Sequence, residues 1–348
     1  MVPVVDLSRR GQRFASEFAK AAERIAASGS FLLGTELSAF ETEFAEWLGA
    51  RHCVAVSSGA AALQLALAAA GIGVGDEVLV PAFTAVPTAS AVAAVGAIPR
   101  AIEVDPHTAC ITTETLEAGR TSRTKAVILV HLYGYPAPLP VTDLIVIEDA
   151  AQAHGALHDP GRSAVTAYSF YPTKNLGGIG DGGAIVTGDA DLAARVRTLR
   201  VHGMTAQYVH EFVSQNFRMS EVEAAWLRLA LGGLTTDVAQ RRAIVARYRQ
   251  AAPGLCWHAA DENHAYHLAV LRAADRPGTR AALERDGVAT AIHYPLAITQ
   301  QPAYLDLQHA ACPQAEAWAA QCVSVPCFPE MTEAEVDRVC TALAGLAE

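Results

Sequence analysis

Lys174 stands in Ser169-Phe170-Tyr171-Pro172-Thr173-Lys174-Asn175, 25 residues after Asp149 in the run Glu148-Asp149-Ala150-Ala151-Gln152. It is one of three lysines in a chain with 23 arginines. An amine among apolar or small neighbours, with a carboxylate at the end of an apolar run, is the pair that pyridoxal phosphate requires. The lysine holds the cofactor as a Schiff base, and the buried carboxylate keeps its pyridine nitrogen protonated so that the ring withdraws electrons. A solvated surface lysine is the ordinary alternative, but the arginines already supply exposed positive charge. Asp149 leaves the apolar run Leu144-Ile145-Val146-Ile147, where an unpaired charge is costly and wants a cationic partner. Gln152, three residues on, reaches the cofactor's phenolic oxygen or serves as an ordinary loop amide; spacing does not separate the two.

Other candidate residues lie where apolar runs give way to small or polar ones. Ser57-Ser58-Gly59-Ala60-Ala61 joins a strand end directly to a helix start, and the free amides of a helix N-terminus bind phosphate. A tight turn has the same pattern; beside the lysine and aspartate it becomes a phosphate cup. Val130-His131-Leu132-Tyr133-Gly134 closes another run. Two motifs fail on context. Gly178-Ile179-Gly180-Asp181-Gly182-Gly183 has dinucleotide-binding spacing but precedes a strand instead of opening a helix. His154 and His158 are separated by Gly155-Ala156-Leu157, which offers no glutamate and would not hold both on one helical face.

The elements that must position these loops are legible as alternation. Apolar runs at 54–56, 77–80, 126–130, 144–147, 165–169 and 184–187 read as buried strands, with Ala-rich helical stretches at 60–70, 84–95 and 191–201. Such alternation implies an α/β fold with a mostly parallel sheet covered on both faces, and ligands collect at the carboxyl ends of its strands. Helical periodicity marks 11–27 and 36–48 before the sheet, and 220–231 and 236–251 after it. From about Leu255 the pattern becomes strand (265–271), helix (278–286), strand (289–293) and two final helices. The expected division is a large domain, 1–235, and a small C-terminal α/β domain, 236–348.

Length and composition narrow the class. At 348 residues the chain exceeds the usual single core. With 51% hydrophobic and 18% charged residues it is no disordered chain. No apolar run reaches the roughly 18 residues of a membrane span, and the N-terminus lacks the pattern of a signal peptide, so a cytoplasmic protein without a membrane partner is expected. A net charge of −10 argues against nucleic acid, though not against a small anionic substrate. The seven scattered cysteines include no Cys-x-x-Cys pair; buried reduced thiols are expected, with Cys322 and Cys327 flanking a strand and no metal bound.

Taken in order, a longer series of motifs resembles the DegT-type sugar aminotransferases, a branch of the fold-type I pyridoxal phosphate enzymes. It comprises Gly34-x-Glu36 with Phe40-x-x-x-Phe44, Ser57-Ser58-Gly59, Pro81-x-Phe83-Thr84, His131 to Gly134, Glu148 to Gly155, Ser169 to Asn175, Gly180-x-Gly182-Gly183, Asn216 to Glu221, and His293-Tyr294-Pro295. The match covers nearly the whole chain. It implies a homodimer with two active sites at the subunit interface. Lys174 would carry the cofactor, Asp149 would pair with the pyridine nitrogen and Gln152 with the ring oxygen. Ser169, Gly59 and Ala60 would hold the phosphate, with Asn216 reaching it from the other subunit. Phe83 is a candidate cofactor contact, and Tyr133, His293 and Tyr294 are candidate sugar contacts. Arg218, Lys20 and Arg228 are candidate diphosphate contacts by charge alone. The implied reaction moves an amino group from glutamate to a nucleotide-linked keto-sugar in ping-pong fashion.

The sequence departs from the family in three places. Ala60 stands where a threonine is usual, and Ala85 where an aromatic residue commonly stacks on the ring. Pro136 to Asp143 is too short for a crossover helix, and the stretch between His158 and Tyr168 is contracted, so one sheet face should be thinly covered. The segment 171–177 with Gly180-Asp181-Gly182-Gly183 resembles members that aminate the 3-position, which points to a 3-keto-6-deoxyhexose. A 4-keto sugar or keto-cyclitol is the alternative within the class. Outside it stands a non-catalytic regulatory or scaffold protein on the same fold; relatives that dehydrate sugars carry histidine in place of the lysine.

Overall fold

The computed structural model describes residues 1–156, 163–307 and 309–346. Two helices come first, α1 (Leu7–Ser28) and α2 (Thr35–Leu48). Asp6 opens α1 by accepting the Ser8 amide, and Gly29 closes it in the left-handed conformation. No side chain of its own caps α2. Glu221 reaches across instead and accepts the amides of Gly34, Glu36 and Leu37 at 2.8, 2.8 and 3.1 Å, satisfying three orphan donors at once.

The body then alternates: β1 (His52–Val56), α3 (Gly59–Ala69), β2 (Glu77–Pro81), α4 (Pro87–Ala94), β3 (Ile98–Ile102), α5 (Thr113–Gly119), β4 (Thr124–Val130), β5 (Ile145–Asp149), β6 (Val165–Ser169), β7 (Gly183–Thr187) and α6 (Ala190–Arg200). The seven strands form one sheet in the order β1-β7-β6-β5-β4-β2-β3. Only β7 runs against its neighbours; the other pairs are parallel. On one face, helix α3 buries Leu63, Ala66 and Leu67 against β6 and β7. Alanine lets it lie close, since a helix of small residues brings backbone near sheet. On the other face, Phe40 and Phe44 of α2 meet Tyr168 and Phe170 edge to face.

A hairpin, β8 (Met204–Ala206) and β9 (Val209–His210), projects with Tyr208 at its exposed tip. Helices α7 (Glu221–Leu231) and α8 (Leu234–Ala251) follow. The C-terminal lobe holds β10 (Cys256–Trp257), β11 (Ala269–Arg272), α9 (Arg276–Arg285), α10 (Pro313–Gln321), β12 (Cys322–Val325) and α11 (Glu333–Ala344), with a three-stranded antiparallel sheet β10-β11-β12. Its core joins Ile244, Tyr248, Leu271, Leu283, Val325 and Val339 with Val2, because Val2 bridges Gly287 and Ala289 through backbone bonds of 2.7 and 2.9 Å. Trp318 and Cys322 pack with the large sheet instead. Contacts therefore cross position 235/236 at both ends of the chain.

Two expectations are corrected, and one strand escaped the sequence reading. Residues 289–293 form no strand; Ala291 makes one isolated bridge to Ser324. The strand expected over 265–271 begins only at Ala269, because the Ala265 and Leu268 amides bond to the carbonyls of Gly134 and Tyr133. Strand β3 was hidden by Pro99 and Arg100 in its middle, a composition tolerated because it is the sheet's edge. The short connection from β4 to β5 holds only a 3-10 turn, Leu132–Gly134, and Leu144, Ile145 and Val146 are left partly exposed. His158 lies outside the described residues.

Candidate active site

The parallel order brings the carboxyl ends of β1, β2, β4, β5 and β6 to one rim. Register fixes their adjacency: Val130 pairs with Asp149, Asp149 with Ala167, and Gly183 with both Val56 and Ser169. A cavity of about 260 Å³ opens there, and its walls include Gly59, Ala60, Asp149, Gln152, Ser169 and Lys174. Residues from Ser58 to Asp181, 123 positions apart in sequence, thus share one hollow.

Lys174 is held by its backbone. Its amide donates to Tyr171 O at 2.8 Å, and buried Arg10 of α1 donates to the carbonyls of Pro172 and Lys174, both at 3.0 Å. Asn175 donates to Ala265 O at 2.9 Å and the Trp226 indole to Gly177 O at 3.0 Å. Desolvation pulls the Lys174 amine down to about 8, against the opposing charge of Asp149. Asp149 receives Thr88 Oγ1 at 3.0 Å and the Ala151 amide at 3.1 Å; burial still raises its pKa.

The phosphate cup is set by what Ser58 leaves free. Its hydroxyl takes the Ala61 amide at 3.1 Å and its carbonyl the Ala62 amide at 2.9 Å. The amides of Gly59 and Ala60 are left without a partner among the described residues, beside Ser169 at the cavity wall. A Cβ at Gly59 would lie 2.5 Å from that of Ser169, so only glycine permits the approach. Gln152 is oriented at both ends: Oε1 accepts the Tyr133 amide at 2.5 Å, and Nε2 donates to the Tyr294 hydroxyl at 3.0 Å. One amide hydrogen remains for a ligand.

Several candidates lie elsewhere. Phe83 is fully buried and stacks on Trp318 at 6.0 Å, so its ring is spent on the core and does not wall the cavity. Tyr133 is likewise fully enclosed, with its hydroxyl donating to His293 O; its side chain has no free surface for a sugar. Arg228 is taken by Glu43 and Glu36, and Lys20 by Glu17, which leaves neither as an open cation. Asn216 and Arg218 lie outside their own chain's cavity, joined by a 2.9 Å bond from Arg218 Nε to Asn216 Oδ1. Tyr294 touches the site through Gln152, while half-buried His293 bonds to Ser324 Oγ at 2.8 Å. Sequence reading missed Thr84, Thr88, Tyr171 and Asp181 as cavity walls. Only the spacing of Thr84 and Thr88, one helical turn apart, hinted at a shared direction.

A family model described as the DegT/DnrJ/EryC1/StrS aminotransferase family matches residues 12–344. The chain belongs to this family. The dTDP-3-amino-3,4,6-trideoxy-alpha-D-glucose transaminase of Streptomyces venezuelae is 40% identical over 367 aligned residues, spanning 100% of this chain and 96% of the relative. Among solved structures, S. venezuelae DesV in complex with a ketimine intermediate matches at a TM-score of 0.94 and 38% identity, covering 100% of this chain and 98% of that one. NtdA from Bacillus subtilis, with its cofactor PMP bound, matches at 0.90 and 27%, covering 99% and 85%.

This DegT-type chain is a pyridoxal-phosphate-dependent aminotransferase. Its residues fit the cofactor: two free helix amides and Ser169 suit a phosphate, the desolvated amine suits covalent attachment, and buried Asp149, served only by neutral donors, suits a protonated ring nitrogen. When bound, the cofactor supplies the electron sink that side chains lack.

Proposed function

We propose that this DegT-type aminotransferase moves the amino group of glutamate to the 3-keto carbon of a nucleotide-linked 6-deoxyhexose. It works in the cytoplasm as a homodimer whose active sites are shared between subunits, each chain comprising domains 1–235 and 236–348. The observation that carries the reading is the convergence of Lys174, Asp149 and the free Gly59 and Ala60 amides on one cavity.

In this reading Lys174 would hold the cofactor as a Schiff base and be released as a free amine when the donor binds. The freed amine, its pKa lowered to about 8, would move the proton from the donor's α-carbon to the cofactor carbon, and in the second half-reaction from the cofactor carbon to the acceptor carbon. Asp149 keeps the proton on the ring nitrogen, and Thr88 and the Ala151 amide hold its carboxylate in place. Gln152 offers its remaining hydrogen to the ring oxygen. Ser169, Gly59 and Ala60 grip the phosphate, joined by Asn216 of the partner subunit. His293 and Tyr294 border the sugar, and Arg218 meets the diphosphate from the neighbouring chain.

The 3-position is supported by the name of the 40% identical relative, a 3-amino-sugar transaminase, and by Asp181 at the cavity wall. The test is a panel of nucleotide-linked 3-keto and 4-keto sugars and free keto-cyclitols, assayed with purified enzyme, pyridoxal phosphate and glutamate. Turnover of the 3-keto sugar is expected. Turnover of the 4-keto isomer alone, or of a cyclitol without nucleotide, overturns the substrate choice and leaves aminotransfer standing.

A further inference from the structure

Next to Thr173, against residues of the C-terminal lobe, lies a second and smaller cavity of about 80 Å³. Its polar walls are Thr173, Arg241, His267 and His293, and the rest is apolar, Val4 and Val325 among them. No carboxylate lines it. Arg241, on α8, is 1% exposed. Its Nη1 donates to the carbonyls of Tyr266, His267 and Cys327, and its Nε has no partner. His267 is buried with Nδ1 unpartnered, and His293 has spent only Nδ1, on Ser324.

Charge counting sharpens the point. Arg10 feels Arg241, Arg13, Glu330 and Asp237 as its charged neighbours. Asp237 is engaged by Arg13 at 2.8 and 3.1 Å, and Glu330 lies 3.9 Å from Arg10. Three guanidiniums therefore share two carboxylates, and among the described residues Arg241 is the one that forms no ion pair. A buried ion needs a counter-charge as well as hydrogen bonds. The histidines do not add to the excess, because burial keeps His267 well below its usual pKa and His293 at about 4. As neutral rings they still donate one N–H each. The space equals two or three waters at roughly 30 Å³ apiece, which suits a halide or one carboxylate group.

We propose that the cavity between Thr173, Arg241, His267 and His293 is a binding site for a small monovalent anion, a halide or a carboxylate group, that neutralises Arg241. Crystals of the holoenzyme soaked in sodium bromide test this directly. An anomalous peak within hydrogen-bonding reach of the Arg241 guanidinium is expected; water alone, or no density, at saturating bromide overturns the site. In solution, bromide or formate should raise the melting temperature of the holoenzyme saturably, with ionic strength held constant by gluconate, which is too large for the cavity. Both Arg241→Met and His267→Leu should abolish that rise, the second remaining informative if the first does not fold. A linear salt response shared by wild type and His267→Leu overturns the proposal. Adding glutamate to the bromide-soaked crystals separates the sources: displaced bromide assigns the site to the amino donor's carboxylate, and retained bromide to a free anion. The diffraction result does not depend on which keto-sugar is aminated, so the two readings fail separately.

Discussion

Lys174 and Asp149 are each held by burial in a state that water would not favour, the amine down at about 8 and the carboxyl above its usual range. That strain has a measurable cost before the cofactor binds. Because the folded pKa of Lys174 lies below its unfolded value of 10.5, the unfolded chain binds the extra proton between about pH 8 and 10.5, and stability rises with pH across that window. Below pH 8 the full penalty applies, about 3 kcal/mol at ~1.4 kcal/mol per unit. Cofactor-free Lys174→Met should therefore be more stable than cofactor-free wild type by up to that amount at pH 7. Urea titrations at pH 7 and pH 10 should show the gap closing. Equal stability at pH 7 would mean that the amine is well solvated. With cofactor added, the same variant should retain no borohydride-fixed chromophore, whereas Asp149→Ala should retain it and lose roughly 100-fold or more in turnover, the scale of a missing electrostatic contributor.

Two elements present the cavity's less conventional walls. The turn from β2 to α4 places Ala85 at the cavity while Phe83 points into the core. If no other ring covers the cofactor, Ala85→Phe should tighten its binding by up to about 1 kcal/mol, the usual aromatic gain. Weaker binding in a cofactor titration would show that the space is already filled. The Gly177–Gly183 loop is clamped from α7, where Glu223 Oε2 accepts the Gly180 amide at 2.9 Å. A Cβ on Gly178 would come within 1.5 Å of Glu223 Oε1, so the clamp requires glycine. Burial, with Asp181 nearby, raises Glu223 to about 7. A raised carboxyl pKa stabilises the fold at low pH and withdraws that stability as pH climbs from about 4.5 through 7. Glu223→Gln should be neutral near pH 4 and more stable than wild type by about 1 to 3 kcal/mol at pH 8. Denaturation curves at both pH values check this; an equal effect at the two would deny titration at Glu223.

At the scale of the whole molecule, the proposed homodimer would complete each site with Asn216 of the neighbouring chain. Asn216 is not among the cavity walls and lies on the exposed stretch after the β8–β9 hairpin; Tyr208 at the hairpin tip and Val213 on that stretch are 82% and 105% exposed. An apolar projection of that kind is costly in water unless another surface covers it. Mixed dimers of Lys174→Ala and Asn216→Ala subunits should regain about one intact site per heterodimer, read as recovered turnover after confirmed subunit exchange. A mixture as inactive as its parents would overturn the proposed shared site.

The strand ends at Gly59, Asp149 and Ser169 were legible in sequence because a buried parallel strand writes itself as a short apolar run, and its last polar or small residue marks the rim. Lys174 was legible through its rarity and neighbours. What the sequence did not determine were choices between equivalent partners distant along the chain. Nothing local says that Thr88 and not Thr84 meets Asp149, or that Gln152 faces Tyr133 and Tyr294. Phe83 and Tyr133 matched a motif, yet tertiary packing turned their rings into the core. The stretch 289–293 has the residues of a strand, but it meets the edge of β12 opposite β11 through one bridge only, Ala291 to Ser324. Local pattern fixes periodicity and burial; which donor finds which acceptor depends on chain segments that only the fold brings together.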